Sequence, residues 1–263
     1  MMKRLAAILA LIPALALAQG SPDMWDEWWA VSGTLRVPVT GAVLWVDAST
    51  LSAGSFDAAT TPVNNLGTRG GSFNAGPYSV NATGINGKPA LQFDGIDDYL
   101  KSTDAYANSG NVLTLFVVTK RISDNGTIKG VVSCIKAGWA DWNHVECFSV
   151  LTAGTSGYLG LSRNQAGVDV AHPAIGTPFI STAVFSGSTG NHYIKTSASS
   201  YSGSFTSSGN FDITSTVLGA RQEAEVKNFN NINIGEVLIY NSALSDSERL
   251  AVEAYLSAKW AIR

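Results

Sequence analysis

The sequence predicts an all-β protein, an antiparallel two-sheet sandwich with one short C-terminal helix. Three observations support this class. Only 14% of the 263 residues are charged and 26 are glycine, which suits a loop-rich β protein. From residue 34 onward, short runs rich in Val, Ile, Thr and aromatic residues alternate with Gly, Asn, Asp and Ser turns. No helical segments separate these runs, although parallel strands would need helical crossovers.

Residues 1–18 have the features of a secretory signal peptide. MMKR supplies a positive start, a fourteen-residue apolar run follows, and Ala16–Ala18 forms an A-x-A cleavage site. The run is shorter than the about 20 residues that span a bilayer. We therefore expect a secreted, cell-surface or periplasmic protein with no transmembrane span after cleavage. In the alternative interpretation, the protein belongs to a virion and its apolar N-terminus is an attachment peg.

Residues 19–33 form a Trp-rich segment ahead of the predicted domain, which spans residues 34–263. One helical turn would place Trp25, Trp28 and Trp29 on the same side. Two interpretations stay open: the turn docks on the protein's own sheet, or it contacts a protein partner or a sugar.

Ten segments of the domain have the composition of strands. In chain order they are GAVLWVDA, PALQFDG, VLTLFVVTK, GVVSCIK, ECFSVLTA, GYLGLSR, PFISTAVFS, HYIKTS, STVLGAR and INIGEVLIY.

The stretch FDGIDDY, residues 93–99, places three carboxylates, Asp94, Asp97 and Asp98, beside a glycine. In the first interpretation it is scaffold, because Asp followed by Gly favours a turn in which the Asp side chain accepts amide hydrogen bonds. In the second, the three carboxylates contribute to a structural calcium site, since calcium takes six to eight oxygen ligands.

Two cysteines flank the loop that follows the fourth predicted strand. Cys134 and Cys147 lie in apolar runs that would face each other on neighbouring antiparallel strands. An oxidising compartment would allow them to form a disulfide. The alternative is a pair of buried thiols that only pack against their neighbours.

The loop between these cysteines, WADWNH, has the composition of a sugar-binding surface. Aromatic faces stack on the C–H surface of sugars, and amide and carboxylate groups bind hydroxyls. The predicted ligand-binding residues are Trp139, Asp141, Trp142, Asn143 and His144. The alternative is that the tryptophans fold back and cap the sandwich.

The chain ends in a predicted helix over residues 246–260. Ser245 and Glu248 have the spacing of a capping box, and apolar residues follow at helical intervals. Because the apolar surface is wider than one stripe, we expect this helix to pack firmly against the sandwich.

Two segments, NGKPALQFDGIDDYL and INIGEVLIYNSALSDSERLAVEAYLSAKW, resemble the concanavalin A-like lectin/glucanase superfamily, specifically the laminin-G-like jelly-roll domains of bacterial and phage surface proteins. The resemblance implies a jelly roll in which the first segment is an early strand. The second is the last strand with its helix, and both lie in one sheet. It also implies a structural calcium ion as the cofactor, since laminin-G-like sandwiches often carry one.

The resemblance and the composition lead to one expected function and two alternatives. We expect a non-enzymatic, lectin-like module that binds carbohydrate or a cell-surface ligand, because the E-x-D-x-E run of laminarinase-type relatives is missing; EAEVK at 223–227 is the nearest run. One alternative is a structural or adhesion protein, such as a phage decoration, spike or fibre component. The other is a polysaccharide hydrolase or lyase. A net charge of -3 gives no support for nucleic-acid binding.

Overall fold

The computed structural model describes residues 36–102, 110–124, 126–153, 158–171 and 173–263. The predicted signal peptide and the Trp-rich segment with Trp25, Trp28 and Trp29 lie outside these residues and stay predictions. Within the described residues, no helix is both long and apolar enough to cross a membrane.

The described chain is an antiparallel β structure followed by one α-helix, as predicted. Its elements are β1 (Leu44–Asp47), a 3-10 turn (Ala48–Thr50), β2 (Gly54–Asp57), β3 (Val63–Asn64), β4 (Ser72–Phe73), β5 (Pro77–Ile85), β6 (Lys88–Asp94), β7 (Leu100–Ser102), β8 (Val112–Arg121), β9 (Ile128–Ile135), β10 (Phe148–Ala153), β11 (Tyr158–Arg163), β12 (Ala166–Ala171), β13 (Pro178–Ser186), β14 (Thr189–Lys195), β15 (Ser200–Thr206), β16 (Ser215–Leu218), β17 (Arg221–Gln222), β18 (Val226–Lys227), β19 (Asn231–Tyr240) and α1 (Asp246–Trp260).

Two large sheets form the sandwich. The larger has the order β15-β14-β13-β8-β19-β6-β5-β2, with β1 also paired to β19, and the smaller has the order β12-β11-β10-β9-β16-β7. The last strand, β19, pairs with both β1 and β6, as the resemblance implies. Side chains from both sheets fill one core. Phe148 of the smaller sheet and Phe185 of the larger meet edge to face across it, with ring centroids 5.2 Å apart.

Helix α1 covers the outer face of the larger sheet. Its N-terminus has the predicted capping box: the Ser245 hydroxyl accepts from the Glu248 amide, and the Glu248 carboxylate accepts from the Ser245 amide. The helix buries Val252, Tyr255, Leu256 and Trp260, which face the sheet rather than solvent.

A buried carboxylate on β19 holds α1 to the sheet. Glu236 is fully buried and accepts hydrogen bonds from the indole N–H groups of Trp45 and Trp260, both at 2.8 Å, and from the Tyr255 hydroxyl at 3.0 Å. The Lys259 ammonium lies 2.8 Å from the same carboxylate. Burial raises the pKa of Glu236, and Lys259 opposes that shift.

The residue before this carboxylate, Gly235, makes room for the helix. A Cβ at Gly235 would lie 2.8 Å from the Trp260 ring. The β19–β8 register also shifts between Ile234 and Glu236, which marks a bulge at this glycine. The GE pair that carries part of the family resemblance is therefore the docking point of α1.

The predicted disulfide between Cys134 and Cys147 is not formed in this structure. Cys134 lies opposite Phe148 in the β9–β10 register, and both side chains are part of the core. Cys147 lies just before the first residue of β10, close to the residue that follows β9. There its sulfur accepts the Lys136 amide at 3.2 Å. Burial raises the pKa of Cys147 to about 11, so the thiol is a packing group.

Candidate functional site

A cleft of about 380 Å³ lies on the outer face of the smaller sheet. Leu159 and Leu161 of β11 are directed into the core, so Gly160 and Ser162 face outward. In β12, Asp169 lies opposite Gly160 and Gly167 lies opposite Ser162. Because three of these four outward residues have small side chains or none, they form a floor that is lower than its surroundings.

One wall of the cleft is Trp142, from the predicted WADWNH loop. Its side chain is 39% exposed, and its backbone carbonyl accepts the Gln165 amide of the β11–β12 turn at 2.7 Å. Asn164 and Gln165 both have positive φ, of 52° and 62°, which gives this hairpin a tight two-residue turn. The turn therefore fixes the loop at the edge of the cleft.

Asp141, predicted as a ligand-binding residue, is instead a buried anchor for the same loop. Its carboxylate receives the Arg221 guanidinium at 2.7 Å and the Ser133 hydroxyl at 2.7 Å. Its own amide donates to the Gln222 carbonyl at 2.9 Å. The side chain is fully buried, so no ligand in the cleft can reach it.

The opposite wall is the hairpin of β17 and β18. Arg221 and Glu223 line the cleft, and Glu223 forms an ion pair with Lys227 at 2.7 Å and lies 3.8 Å from the Arg221 guanidinium. The guanidinium is thus shared between two carboxylates, the buried Asp141 and Glu223. Asp169, exposed on β12, has no ion-pair partner among the described residues.

The other predicted loop residues lie outside the cleft lining. Trp139, 43% exposed, stacks on the His144 ring with centroids 3.9 Å apart. His144 also lies 3.1 Å from the Glu146 carboxylate. The Asn143 side-chain oxygen is buried and has no hydrogen-bond partner among the described residues. The loop therefore presents two separate aromatic surfaces, and only the one at Trp142 borders a cavity.

The three aspartates of FDGIDDY lie together on the turn between β6 and β7. Asp94 accepts the Ile96 amide at 2.8 Å, and Gly95 has a φ of 83°, which is the turn that the scaffold interpretation predicts. One oxygen from each of Asp94, Asp97 and Asp98 lies within 4.8 Å of the others. Partial burial, followed by the nearby Asp94 carboxylate, raises the pKa of Asp98. These are suitable oxygen donors, but they supply only half the ligands that calcium needs. Calcium binding here stays a prediction.

Of the cleft, the sequence predicts Trp142 on one wall, and Glu223 of the other wall lies in the EAEVK run; the floor residues and Arg221 were not predicted. The floor residues come from neighbouring strands, whereas Arg221 and Glu223 come from a hairpin about sixty residues later. One local signal was present: in GYLGLSRNQAGVDV, the residues that alternate with Leu and Val are Gly, Ser and Asp. Such a pattern indicates a strand pair with a low, polar outer face.

Comparisons with known proteins give similarity in fold but not in sequence. Neither protein-family models nor curated proteins give a match to this chain. Trypanosoma rangeli sialidase with the inhibitor DANA is similar with a TM-score of 0.56 and 12% identity, covering 94% of this chain and 39% of the sialidase. The same enzyme with 2,3-difluoro-KDN gives 0.55 and 12%, covering 85% of this chain and 33% of the sialidase. The chain thus spans only about a third of the sialidase's length.

A separate domain gives a match over nearly its whole length. Domain 4 of AbnA, a GH43 extracellular arabinanase from Geobacillus stearothermophilus, in complex with arabinotriose, has a TM-score of 0.54 and 14% identity. The match covers 76% of this chain and 97% of that domain.

These structures correct one prediction. The expectation that the protein is not an enzyme is contradicted, because structures similar to this chain include sialidases, which are enzymes. At these identities the likeness extends to the fold alone. The chain has a β-sandwich, jelly-roll-like fold that also occurs in proteins solved with sialic-acid-type ligands and with arabinotriose.

Proposed function

We propose that this protein is a secreted or surface-exposed, lectin-like member of the concanavalin A-like sandwiches of laminin-G type, and that it binds glycans in the cleft of the smaller sheet. One observation carries the proposal: an exposed tryptophan, Trp142, is fixed at the wall of a cleft lined by polar groups. Sugar sites combine such an aromatic face with groups that bind hydroxyls.

The cleft supplies both kinds of contact. Asp169, Glu223 and Gln165 offer hydrogen-bonding groups, while Trp142 and Ile128, which is 49% exposed, offer apolar surface. The anchors at Asp141 and at the β11–β12 turn hold this arrangement before a ligand arrives, which lowers the ordering cost of binding. The similar arabinanase domain was solved in complex with arabinotriose, which supports an oligosaccharide as the ligand.

The protein itself provides a matched test, because its two exposed loop tryptophans differ in position. We expect the full chain to bind on a glycan array and Trp142→Ala to lose most of that binding. Truncating an aromatic hot-spot residue at a binding surface costs about 2 kcal/mol or more. Trp139→Ala should keep the binding, because Trp139 stacks on His144 outside the cleft.

The opposite result, with Trp139→Ala losing binding and Trp142→Ala keeping it, would place the site on the other side of the loop. A folded protein that binds no glycan would contradict the proposal and favour the structural role. Repeating the array with a calcium chelator would test whether the predicted calcium is needed.

A second candidate function is hydrolysis of the bound glycan. Two carboxylates, Asp169 and Glu223, line the same cleft, and glycosidases use a carboxylate pair. The array's best ligand, incubated with the protein, would release new reducing ends if the cleft is catalytic. Glu223→Gln should then abolish their release.

A further inference from the structure

The charges around the cleft define its ligand more narrowly. We propose that the cleft selects uncharged glycans and rejects glycans that carry carboxylates, such as uronic or sialic acids. This inference rests on the proposed function, because it concerns the class of glycan that the same cleft binds.

Arg221 supplies the guanidinium in the cleft lining. A carboxylated sugar would need a cation with unused donors, and arginine is the usual partner because of its two-pronged geometry. Here the guanidinium already donates to both oxygens of Asp141, at 2.7 and 3.3 Å, and faces Glu223 at 3.8 Å. It is only 8% exposed. Arg221 is therefore committed to the protein's own carboxylates.

The nearest other cation, Lys227, lies outside the cleft lining and is paired to Glu223 at 2.7 Å. Asp169 stands on the cleft floor with no ion-pair partner among the described residues, and the exposed Glu225 adds a carboxylate on the β17–β18 turn. Within the cleft lining itself, two carboxylates, Asp169 and Glu223, face one cation, Arg221, so the lining has a small net negative charge.

The cleft also offers apolar contacts. Trp142, Ile128 and Leu151 contribute surface on which the C–H face of a neutral sugar can stack. Asp169 accepts hydrogen bonds from hydroxyls, but it repels a carboxylate placed at the same point. The negative excess is small, because Arg221 and Lys227 offset two carboxylates, so stacking and hydroxyl contacts should dominate binding.

The test compares neutral and acidic polymers on the full chain. We would measure binding to arabinan, a neutral β-glucan, polygalacturonate and a sialylated glycan, each at low and high salt. We expect a neutral polymer to bind with little salt dependence, and the acidic ones to bind at least about tenfold more weakly at low salt, which corresponds to about 1.4 kcal/mol. Higher salt should narrow the gap, because it screens the repulsion.

Two matched variants tie this selectivity to the cleft. Asp169→Asn removes the unpaired charge with almost no change of shape, and should reduce the discrimination against acidic glycans severalfold. Asp57→Asn removes an exposed carboxylate from β2, at the far edge of the other sheet, and should leave discrimination unchanged.

Tighter binding of an acidic than of a neutral polymer, lost in Trp142→Ala, would overturn the inference and leave glycan binding in this cleft intact. Equal discrimination in Asp169→Asn and the unaltered protein would also overturn it, because the charge of the cleft would then have no role. Binding to none of the polymers would overturn both this inference and the proposed function.

Discussion

On each outer face of the sandwich a buried carboxylate fixes the neighbouring elements, but one face is closed and the other is open. On the larger sheet, the buried carboxylate of Glu236 binds Trp45 of β1 and Trp260 of α1, and the helix closes the face. On the smaller sheet, the buried carboxylate of Asp141 holds a loop to the β17–β18 hairpin, and Trp142 of that loop stays exposed over a cleft. A buried carboxylate with several donors is thus a fixing point, and the chain around it determines whether the face becomes core or binding surface.

The largest expected effect is at the closed face. Glu236→Gln should lower the free energy of unfolding by about 3 kcal/mol, because an amide N–H group then faces the indole and hydroxyl donors, and Lys259 keeps only Asp47, at 2.6 Å, as its carboxylate partner. Urea unfolding would measure the change. Glu225→Gln, on an exposed turn, is the control and should stay within about 0.5 kcal/mol.

Glycan binding by the folded fraction of Glu236→Gln should be unchanged, since α1 and the cleft lie on opposite sheets. A variant that unfolds at the same urea concentration as the unaltered protein would show that Glu236 is not what holds the helix.

A smaller stability effect with a larger functional effect is expected at the open face. Asp141→Asn should cost roughly 1–3 kcal/mol, because Arg221 keeps a hydrogen-bond partner but loses the nearer of its two carboxylates, and Glu223 lies 3.8 Å away. It should also weaken glycan binding about tenfold or more, because Trp142 is no longer fixed before the ligand arrives. Urea unfolding and glycan titration of the folded protein separate the two effects.

If Asp141→Asn were less stable yet bound glycan with unchanged affinity, the two carboxylates would have the same role and the contrast between the faces would fail. Asp57→Asn again provides the control, since it should change neither quantity.

The two faces also differ in how much of them the sequence predicts. The ten predicted strands all exist, and the central ones, such as β8 and β19, have long apolar runs because both their faces are buried. The missed strands include the edge strands β2, β7, β12 and β15. Two of these, β2 and β15, carry little apolar sequence, since much of their surface is exposed. β12 alternates Val with Gly and Asp over only six residues, and β7 has only three residues.

The cleft is built partly from those missed elements. β12 supplies Asp169, and the two-residue strand β17 supplies Arg221, which no strand pattern can reveal. The predicted loop was informative in composition, but composition cannot separate an anchor from a ligand-binding group. Asp141 and Trp142 are neighbours in sequence, yet Asp141 is buried and Trp142 is exposed. The reason is that the β17–β18 hairpin binds the backbone of Asp141, and the β11–β12 hairpin binds the backbone of Trp142.

The smallest expected change in stability is at Gly160 of the open face, and Gly235 of the closed face provides the comparison. A Cβ at Gly235 would lie 2.8 Å from the ring of Trp260, the last residue of α1. Because that ring is fully buried against the sheet, it has no room to move, and Gly235→Ala should cost about 1–3 kcal/mol of stability. A Cβ at Gly160 would lie 3.0 Å from the Asp169 carboxylate, whose side chain is exposed, and at an ordinary contact distance of 3.8 Å from Leu151. Gly160→Ala should therefore change stability by less than about 1 kcal/mol.

The same methyl group at Gly160 raises the floor of the cleft beside Asp169. Gly160→Ala should thus weaken glycan binding severalfold, whereas Gly235→Ala should leave the affinity of the folded protein unchanged. Thermal unfolding and glycan titration of both variants measure the four quantities. If Gly160→Ala bound glycan as tightly as the unaltered protein, the ligand would not reach the floor of the cleft, and the open face would bind through its Trp142 rim alone.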